Sequence, residues 1–355
     1  MKDYSNEQSL SNLLVKFLRH SWREQTDSPD ITKEELEYIT PILIELGTGG
    51  LAWYRVRLSS FRDTDCAEKF HQAYRFVKLR VKMREMAMQR AFNLFRSHDI
   101  EPILIKGWSV ARFFPDNAMR HYSDVDFFIP PDKYDLAQKL FLKEAAEDFY
   151  LDLQKGTGYL DESTFDDVFS RSILVKFGET QVRVLSHEDL LRIVCYHWLH
   201  DGCVRFTGLC DIALLLESRP KNFDWKICLG ANHTRSHWIA CAIKLSGEMF
   251  GVELEGVPED IKNLKIPKWL IRAILKEWDK PTRERIYPHP SLFLELKKPL
   301  SFIKSARKRF PPNPIQSTIF LNGYFNETPR LLYQTGFYLL RVRSFFRKLI
   351  TKKNT

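Results

Sequence analysis

One short run constrains the fold of this 355-residue chain more than any other: HYSDVDFFIP, residues 121–130. It puts two carboxylates, Asp124 and Asp126, two residues apart in a β-branched and aromatic stretch that Pro130 and Pro131 end. Such a stretch predicts a buried strand, in which side chains at i and i+2 point to the same face. The Cα atoms of the two aspartates are then about 7 Å apart. Like charges this close destabilise a fold unless a cation lies between them, so the pattern indicates a divalent-metal site.

The flanking sequence places these aspartates in a small sheet. IEPILIKG, residues 100–107, is a short apolar run closed by Lys-Gly, which is typical of a buried strand. FYLDLQ, residues 149–154, alternates apolar and polar side chains, so it predicts a half-buried strand that carries a third acid, Asp152. Residues 172–186 have the pattern of a hairpin, and residues 132–147 have that of a helix. We therefore expect an α+β fold.

Helical patterns precede and follow this sheet. The clearest helix covers residues 71–98, where apolar side chains recur at near-helical spacing. We interpret that recurrence as a core-facing stripe rather than a methionine-rich binding surface, with these members: Phe76, Leu79, Met83, Met86 and Leu94. The chain then divides into an N-terminal helical region (1–98), a sheet-containing core (99–185), a C-terminal helical domain (186–290) and a basic segment (291–355).

The net charge of +9 belongs to the last of these regions. From Lys297 onward there are thirteen Lys and Arg residues against one acid, Glu327. LLYQTGFYLLRVRSFFRKLITKK, residues 331–353, reads as a basic amphipathic helix. Three interpretations remain open for residues 297–353: packing on the body of the protein, peripheral contact with an anionic membrane, or binding of a polyanion such as a nucleic acid.

Other features favour a cytoplasmic protein. The start of the chain has no apolar stretch of the secretory type, and no run of 18 apolar residues predicts a spanning helix. The six cysteines form no CxxC pair and read as reduced thiols. Zinc is disfavoured because the spacings of Cys195, His197, His200, Cys203 and Cys210 fit no paired-ligand motif. We expect His197 in the core or lining a pocket, and Asp211 on a helix.

The order of strand, Lys-Gly turn, helix and Asp-x-Asp strand has a chemical logic. Gly107 has no Cβ, so the backbone there can approach a phosphate closely. The N-terminus of the following helix presents free N–H groups to such an anion. Asp124 and Asp126 can hold one or two Mg²⁺ (or Mn²⁺) ions that bridge triphosphate oxygens. Asp152 would complete the metal cage or accept the proton of an attacking hydroxyl.

The run ILIKGWSVARFF…RHYSDVDFFIPP, residues 103–131, resembles the uncharacterised nucleotidyltransferase family of the polymerase-beta-like superfamily. The resemblance implies a nucleotidyltransferase core flanked by helical regions. It also implies transfer of a nucleoside monophosphate from an NTP to a hydroxyl or phosphate acceptor, with release of pyrophosphate. By the same resemblance Lys106, Gly107 and Ser109 belong to the phosphate-binding turn. Asp124 and Asp126 are metal ligands, Arg120 and Ser123 lie beside them, and Asp152 is the third acid.

The chain departs from the family pattern at two places. Trp108 separates Gly107 from Ser109, and Gln154 stands where the family's third strand has histidine. Four other acids compete for the third-acid role: Asp161, Glu162, Asp166 and Asp167. Two other functions stay open. One is an inactive member of the same fold that binds a nucleotide or a partner protein, and the other is a membrane-surface or polyanion-binding scaffold. The sequence does not identify the acceptor.

Overall fold

The computed structural model describes residues 9–25, 27–144, 151–160, 163–280 and 310–352. Its strands are β1 (Ile103–Leu104), β2 (Val125–Ile129), β3 (Leu151–Lys155), β4 (Ile173–Phe177) and β5 (Thr180–Val184). They form one mixed sheet in the order β3-β2-β1-β5-β4. Helices surround this sheet, so the α+β class predicted from the sequence is confirmed.

β2 is the strand that positions the aspartates. It pairs antiparallel with β1 and parallel with β3, and all five of its residues are buried. In the β2–β3 ladder Asp126 lies opposite Asp152. Directly paired residues project from the same face of a sheet, so the register puts these two acids on one face.

The helices fall into three groups along the described chain. Before the sheet come α1 (Leu10–Leu18), α2 (Lys33–Glu45), α3 (Gly49–Val56) and α4 (Asp65–Arg96). Among the strands lie α5 (Trp108–Ala111), α6 (Tyr134–Glu144) and α7 (Phe165–Arg171). After the sheet come α8 (His187–His200), α9 (Thr207–Glu217), α10 (Trp225–Leu229), α11 (His233–Phe250), α12 (Glu259–Lys262), α13 (Lys268–Trp278), α14 (Pro314–Phe320) and α15 (Arg330–Lys352).

Side-chain caps fix where several of these helices begin. The hydroxyls of Thr32, Thr64, Thr164 and Ser186 each accept a hydrogen bond from the backbone N–H three residues later. Such a cap satisfies one of the free donors in the first turn of a helix. Ser186 in this way starts α8, the helix that faces the aspartates.

The buried face of α4 differs from the predicted one. Phe76, Leu79, Met83 and Met86 are 59%, 62%, 62% and 52% exposed, so the predicted core stripe is wrong for these four residues. Leu94, the fifth predicted member, does pack against the core. The helix is buried instead through the stripe on its opposite side, which includes Tyr74, Val77, Val81, Met88, Phe92 and Phe95. α4 carries two apolar stripes, and helical spacing alone does not decide which one meets the sheet.

Buried side chains cover both faces of the sheet. Phe127 of β2 contacts Phe92 and Phe95 of α4 edge to face, with ring centroids 5.3 Å and 6.1 Å apart. Phe128 points the other way, into a larger cluster that includes α8, α9 and α11. β2 is thereby fixed between two cores, which fixes Asp126 as well. None of the helices in the described ranges is long and apolar enough to cross a membrane.

Candidate active site

A cleft of about 280 Å³ opens where the chain enters β2. The turn after β1 and the residues leading into β2 form one wall, and α8 with the start of α9 forms the other. Six of the residues predicted from the sequence line it: Lys106, Gly107, Arg120, Ser123, Asp124 and Asp126. Ser109 and Asp152 do not. The opposite wall contributes His197, Asp201, Arg205 and Asp211.

Lys106 joins the two walls of the cleft. Its Nζ lies 3.2 Å from Asp126 Oδ1 and 3.2 Å from His197 Nε2. A lysine ammonium only donates, so His197 Nε2 must accept and must carry no proton. His197 Nδ1 lies 3.5 Å from Asp201 Oδ2. Burial and the charge of Lys106 lower the pKa of His197 to about 4, so the imidazole is neutral at pH 7.

Asp126 is a buried carboxylate that Lys106 compensates only in part. Its side chain is 3% exposed. Burial raises its pKa to about 6, against the lowering effect of Lys106, and the charges of Asp152 and Asp124 add to the rise. Negative charge at this position is therefore costly in the protein alone. A second cation beside Asp126 would remove that cost.

The other two carboxylates are closer to solvent. Asp124, directly before β2, and Asp152, in β3, are both exposed. Each raises the pKa of Asp126 by its charge, so both lie close enough to act on it. Within the described ranges, no group of three or more His, Cys, Asp or Glu side chains is arranged to hold a metal ion. Asp126 and Asp152 therefore share one face of the sheet and Asp124 lies near them, but the three acids do not form a metal cage.

Gly107 is required by the packing of the turn itself. Its φ is +69°, in the region that favours glycine. A Cβ at this position would lie 2.9 Å from the carbonyl oxygen of Asp124 and 3.3 Å from Tyr122 Cδ2. The backbone that enters β2 thus packs directly against the turn at Gly107, and this contact places Asp124 next to the turn.

Ser109 lies behind the turn rather than in the cleft. It is fully buried, and its hydroxyl donates to the carbonyl oxygen of Leu104 at 3.1 Å. This bond ties the start of α5 to the end of β1. Ser109 therefore supports the turn in the structure and has no surface on the cleft.

Arg120 connects the core to the helices that follow the sheet. It donates to both carboxylate oxygens of Asp211 in α9, each at 2.8 Å, and its Nη1 donates to the carbonyl oxygen of Gly107 at 3.3 Å. A bidentate pair with little exposure is geometrically specific. Ser123 stays exposed at the cleft, and its carbonyl oxygen accepts from Arg84 Nε at 3.1 Å.

Of the four competing acids, the two that the structure describes, Asp166 and Asp167, do not line the cleft. Asp166 and Asp167 lie in the first turn of α7, where Asp167 completes a capping box with Thr164. Asp161 and Glu162 lie outside the described residues.

Two residues of the helical wall, Asp201 and Arg205, were not predicted from the sequence. The run HWLHDG, residues 197–202, could have indicated Asp201, because it places His197 and Asp201 four residues apart, on the same side of a helix.

Comparisons with known proteins agree with this architecture. A family model described as "Uncharacterised nucleotidyltransferase" matches residues 32–243, which run from α2 into α11 and include both walls of the cleft. No curated protein and no solved structure matches the chain.

Proposed function

The chain belongs to a family of uncharacterised nucleotidyltransferases, and we propose that it moves a nucleoside monophosphate from an NTP to a hydroxyl or phosphate acceptor. The reaction releases pyrophosphate and depends on Mg²⁺ or Mn²⁺. The observation that carries this proposal is Asp126: a buried carboxylate, paired in register with Asp152, with Asp124 two residues before it. A protein has little structural reason to keep three acids at one sheet edge unless a cation joins them.

The donor chemistry of these residues suits a divalent cation, although Asp124, Asp126 and Asp152 are not gathered into a preformed cage. Asp124, Asp126 and Asp152 would hold it, since hard cations prefer carboxylate oxygens and the raised pKa of Asp126 reports an incompletely compensated negative charge. When bound, the cation supplies charge neutralisation and polarisation at the phosphoryl oxygens. Lys106 is already in the cleft and can turn from Asp126 toward a phosphate.

The remaining predicted residues divide into two roles. Gly107 and Ser123 line the cleft, so we assign them to the nucleotide, through backbone and hydroxyl groups. Ser109 acts from behind the turn, because its hydroxyl is bonded to Leu104. Arg120 lines the cleft, but its donors are bonded to Asp211 and to the carbonyl oxygen of Gly107, so we assign it to holding the turn in place. If Asp124 and Asp126 hold the metal alone, we assign Asp152 the role of general base, which accepts the proton of the attacking acceptor.

Nucleotide binding provides the first test. The melting temperature of the full chain is measured with ATP, GTP, CTP and UTP, each with Mg²⁺ or with EDTA. We expect metal-dependent stabilisation by at least one NTP, and its loss in Asp124→Ala. The matched control is Asp135→Ala, an exposed acid in the first turn of α6, which should bind as the wild type does. Stabilisation that does not need metal would favour a nucleotide-binding protein without catalysis.

Turnover provides the second test. The protein is incubated with α-labelled NTPs, Mg²⁺ or Mn²⁺ and cell extract, and labelled products are separated. A product that Asp124→Ala does not form supports transfer and begins to identify the acceptor. Absence of any labelled product or released pyrophosphate with all four NTPs would contradict the proposal.

We also propose that the protein is cytoplasmic and contacts anionic membranes through α15. On this helix Leu332, Leu339 and Arg343 are exposed and follow one another at seven- and four-residue intervals on one face. Leucines and arginines on one exposed face suit a lipid interface. Co-sedimentation with phosphatidylserine vesicles should fall in Leu332→Asp/Leu339→Asp. Equal sedimentation with neutral phosphatidylcholine vesicles would contradict an electrostatic contribution.

A further inference from the structure

A second surface lies on α4, on the side turned away from the sheet. Phe76, Leu79, Met83 and Met86 succeed one another at intervals of three, four and three residues, and we call them the apolar seam. More than half of each side chain is exposed, although the guanidinium of Arg80 lies over the ring of Phe76, 5.3 Å from its centroid. Four large apolar side chains in one exposed row are unusual in a protein that functions alone.

The seam cannot turn inward to find cover. The opposite side of α4 is fixed by buried Tyr74, Val77, Val81 and Met88. Tyr74 Oη also donates to Asp116 at 2.8 Å, outside the helix. Because α4 is held through that face, the seam is a permanent feature of the surface.

Positive charge flanks the seam on both sides. At 100° per residue, Arg75 and Lys82 lie along one side of it and Arg80 along the other. Lys82 lies 3.7 Å from Glu85, yet 72% of its side chain stays exposed. The surface is thus a narrow apolar row with cationic edges.

These features select among possible occupants. A three-four-three spacing is that of a coiled-coil seam, narrower than the apolar face with which a helix lies on a membrane. A second copy of α4 would set like charges against each other on both edges. We propose that the apolar seam binds an amphipathic helix of a partner protein, with apolar residues at a and d positions and Asp or Glu at the flanking e and g positions.

A synthetic peptide tests this chemistry directly. The probe is a fluorescent helix of about four heptads with Leu at a and d and Glu at e and g, and the control peptide has Lys at e and g. Binding to the full chain is followed by anisotropy at low and raised salt. We expect the acidic peptide alone to bind, and its affinity to fall with salt because the flanking charges are exposed.

Variants of the chain complete the test. Leu79→Asp/Met83→Asp should weaken binding of the acidic peptide by at least about tenfold, since two apolar side chains leave the interface. The matched control is Leu58→Asp, which changes a leucine that is 70% exposed outside α4 and should bind as the wild type does. The proposal is overturned if the acidic peptide does not bind or if the seam variant binds equally well. It is also overturned if the same variant abolishes a dimer seen by sedimentation or abolishes binding to phosphatidylserine vesicles.

Discussion

Replacing Asp126 by asparagine tests the electrostatics of the cleft without changing its shape. The side chain is 3% exposed, and burial raises its pKa to about 6 from an ordinary value of 3.8. Asparagine has the same size and never ionises. We therefore expect Asp126→Asn to be more stable than the wild type at neutral pH when no metal is present, although the change removes a residue that we assign to catalysis.

The size of the effect follows from linkage. The folded and ordinary pKa values differ by about 2 pH units, and each unit corresponds to about 1.4 kcal/mol, so the charged form costs about 3 kcal/mol in the folded protein. A raised carboxyl pKa means that the folded state binds more protons than the unfolded state between about pH 4 and 6. The stability contributed by protonated Asp126 is thus present below pH 4 and is lost as the pH rises through 6.

Urea unfolding measures this directly. The free energy of unfolding of both proteins is determined in EDTA at pH 4.5, 6.0 and 7.5. The advantage of Asp126→Asn should grow by about 2 kcal/mol from the lowest to the highest pH. Asp135→Asn is the control: its carboxylate is exposed in the first turn of α6, outside the cleft, so its stability should follow the wild type at each pH. Parallel pH profiles for wild type and Asp126→Asn, or a less stable asparagine variant at pH 7.5, would refute the electrostatic account.

Three further substitutions test other parts of the site. Asp211→Ala leaves the guanidinium of Arg120 without its carboxylate, so it should cost about 3 kcal/mol in urea unfolding, and a loss under about 1 kcal/mol would contradict the assigned tie. Ser109→Ala removes one buried hydrogen bond, so it should lower the free energy of unfolding by about 1 kcal/mol and leave metal-dependent NTP affinity unchanged. A large loss of affinity would indicate that Ser109 contacts the nucleotide. His197→Phe should weaken NTP binding because Lys106 loses a hydrogen-bond acceptor, whereas His197→Gln keeps an acceptor and should bind NTP as the wild type does. The control is His200→Phe, three residues further along α8. Equal weakening in that control would contradict a specific role for His197.

Local sequence patterns were sufficient to predict several strands and turns. The alternation of FYLDLQ and the apolar run around Asp126 were sufficient to predict two strands, and the parallel register then set Asp126 opposite Asp152. The hairpin predicted over residues 172–186 is confirmed: β4 and β5 meet at a turn in which Gly178 has a φ of +57°, a conformation that favours glycine. The stripe on α4 was mispredicted because either of two apolar rows could have met the sheet, and tertiary packing made the choice.

Contacts between distant parts of the chain were not predictable in this way. Lys106 and His197 are 91 residues apart, as are Arg120 and Asp211. No periodicity within either segment indicates that they meet. The family resemblance implied that Gly107 and Ser109 share a role toward phosphate. In the structure Gly107 lines the cleft, whereas Ser109 is buried and bonded to the preceding strand, a difference that no local pattern indicates.

These two long-range contacts bear on which part of the chain acts as the catalytic unit. Lys106–His197 and Arg120–Asp211 both run from the sheet-containing core to helices that follow it, and Arg120 also holds the turn at Gly107. A core ending at residue 185 would keep the three acids but would leave Arg120 unpaired and one wall of the cleft missing. The family match extends to residue 243 and includes α8 and α9, as expected if the active unit needs both walls. With a nucleotide bound between these walls, as we propose, an acceptor would reach it along α8 and α9, so we expect these helices rather than the carboxylate strand to select the acceptor.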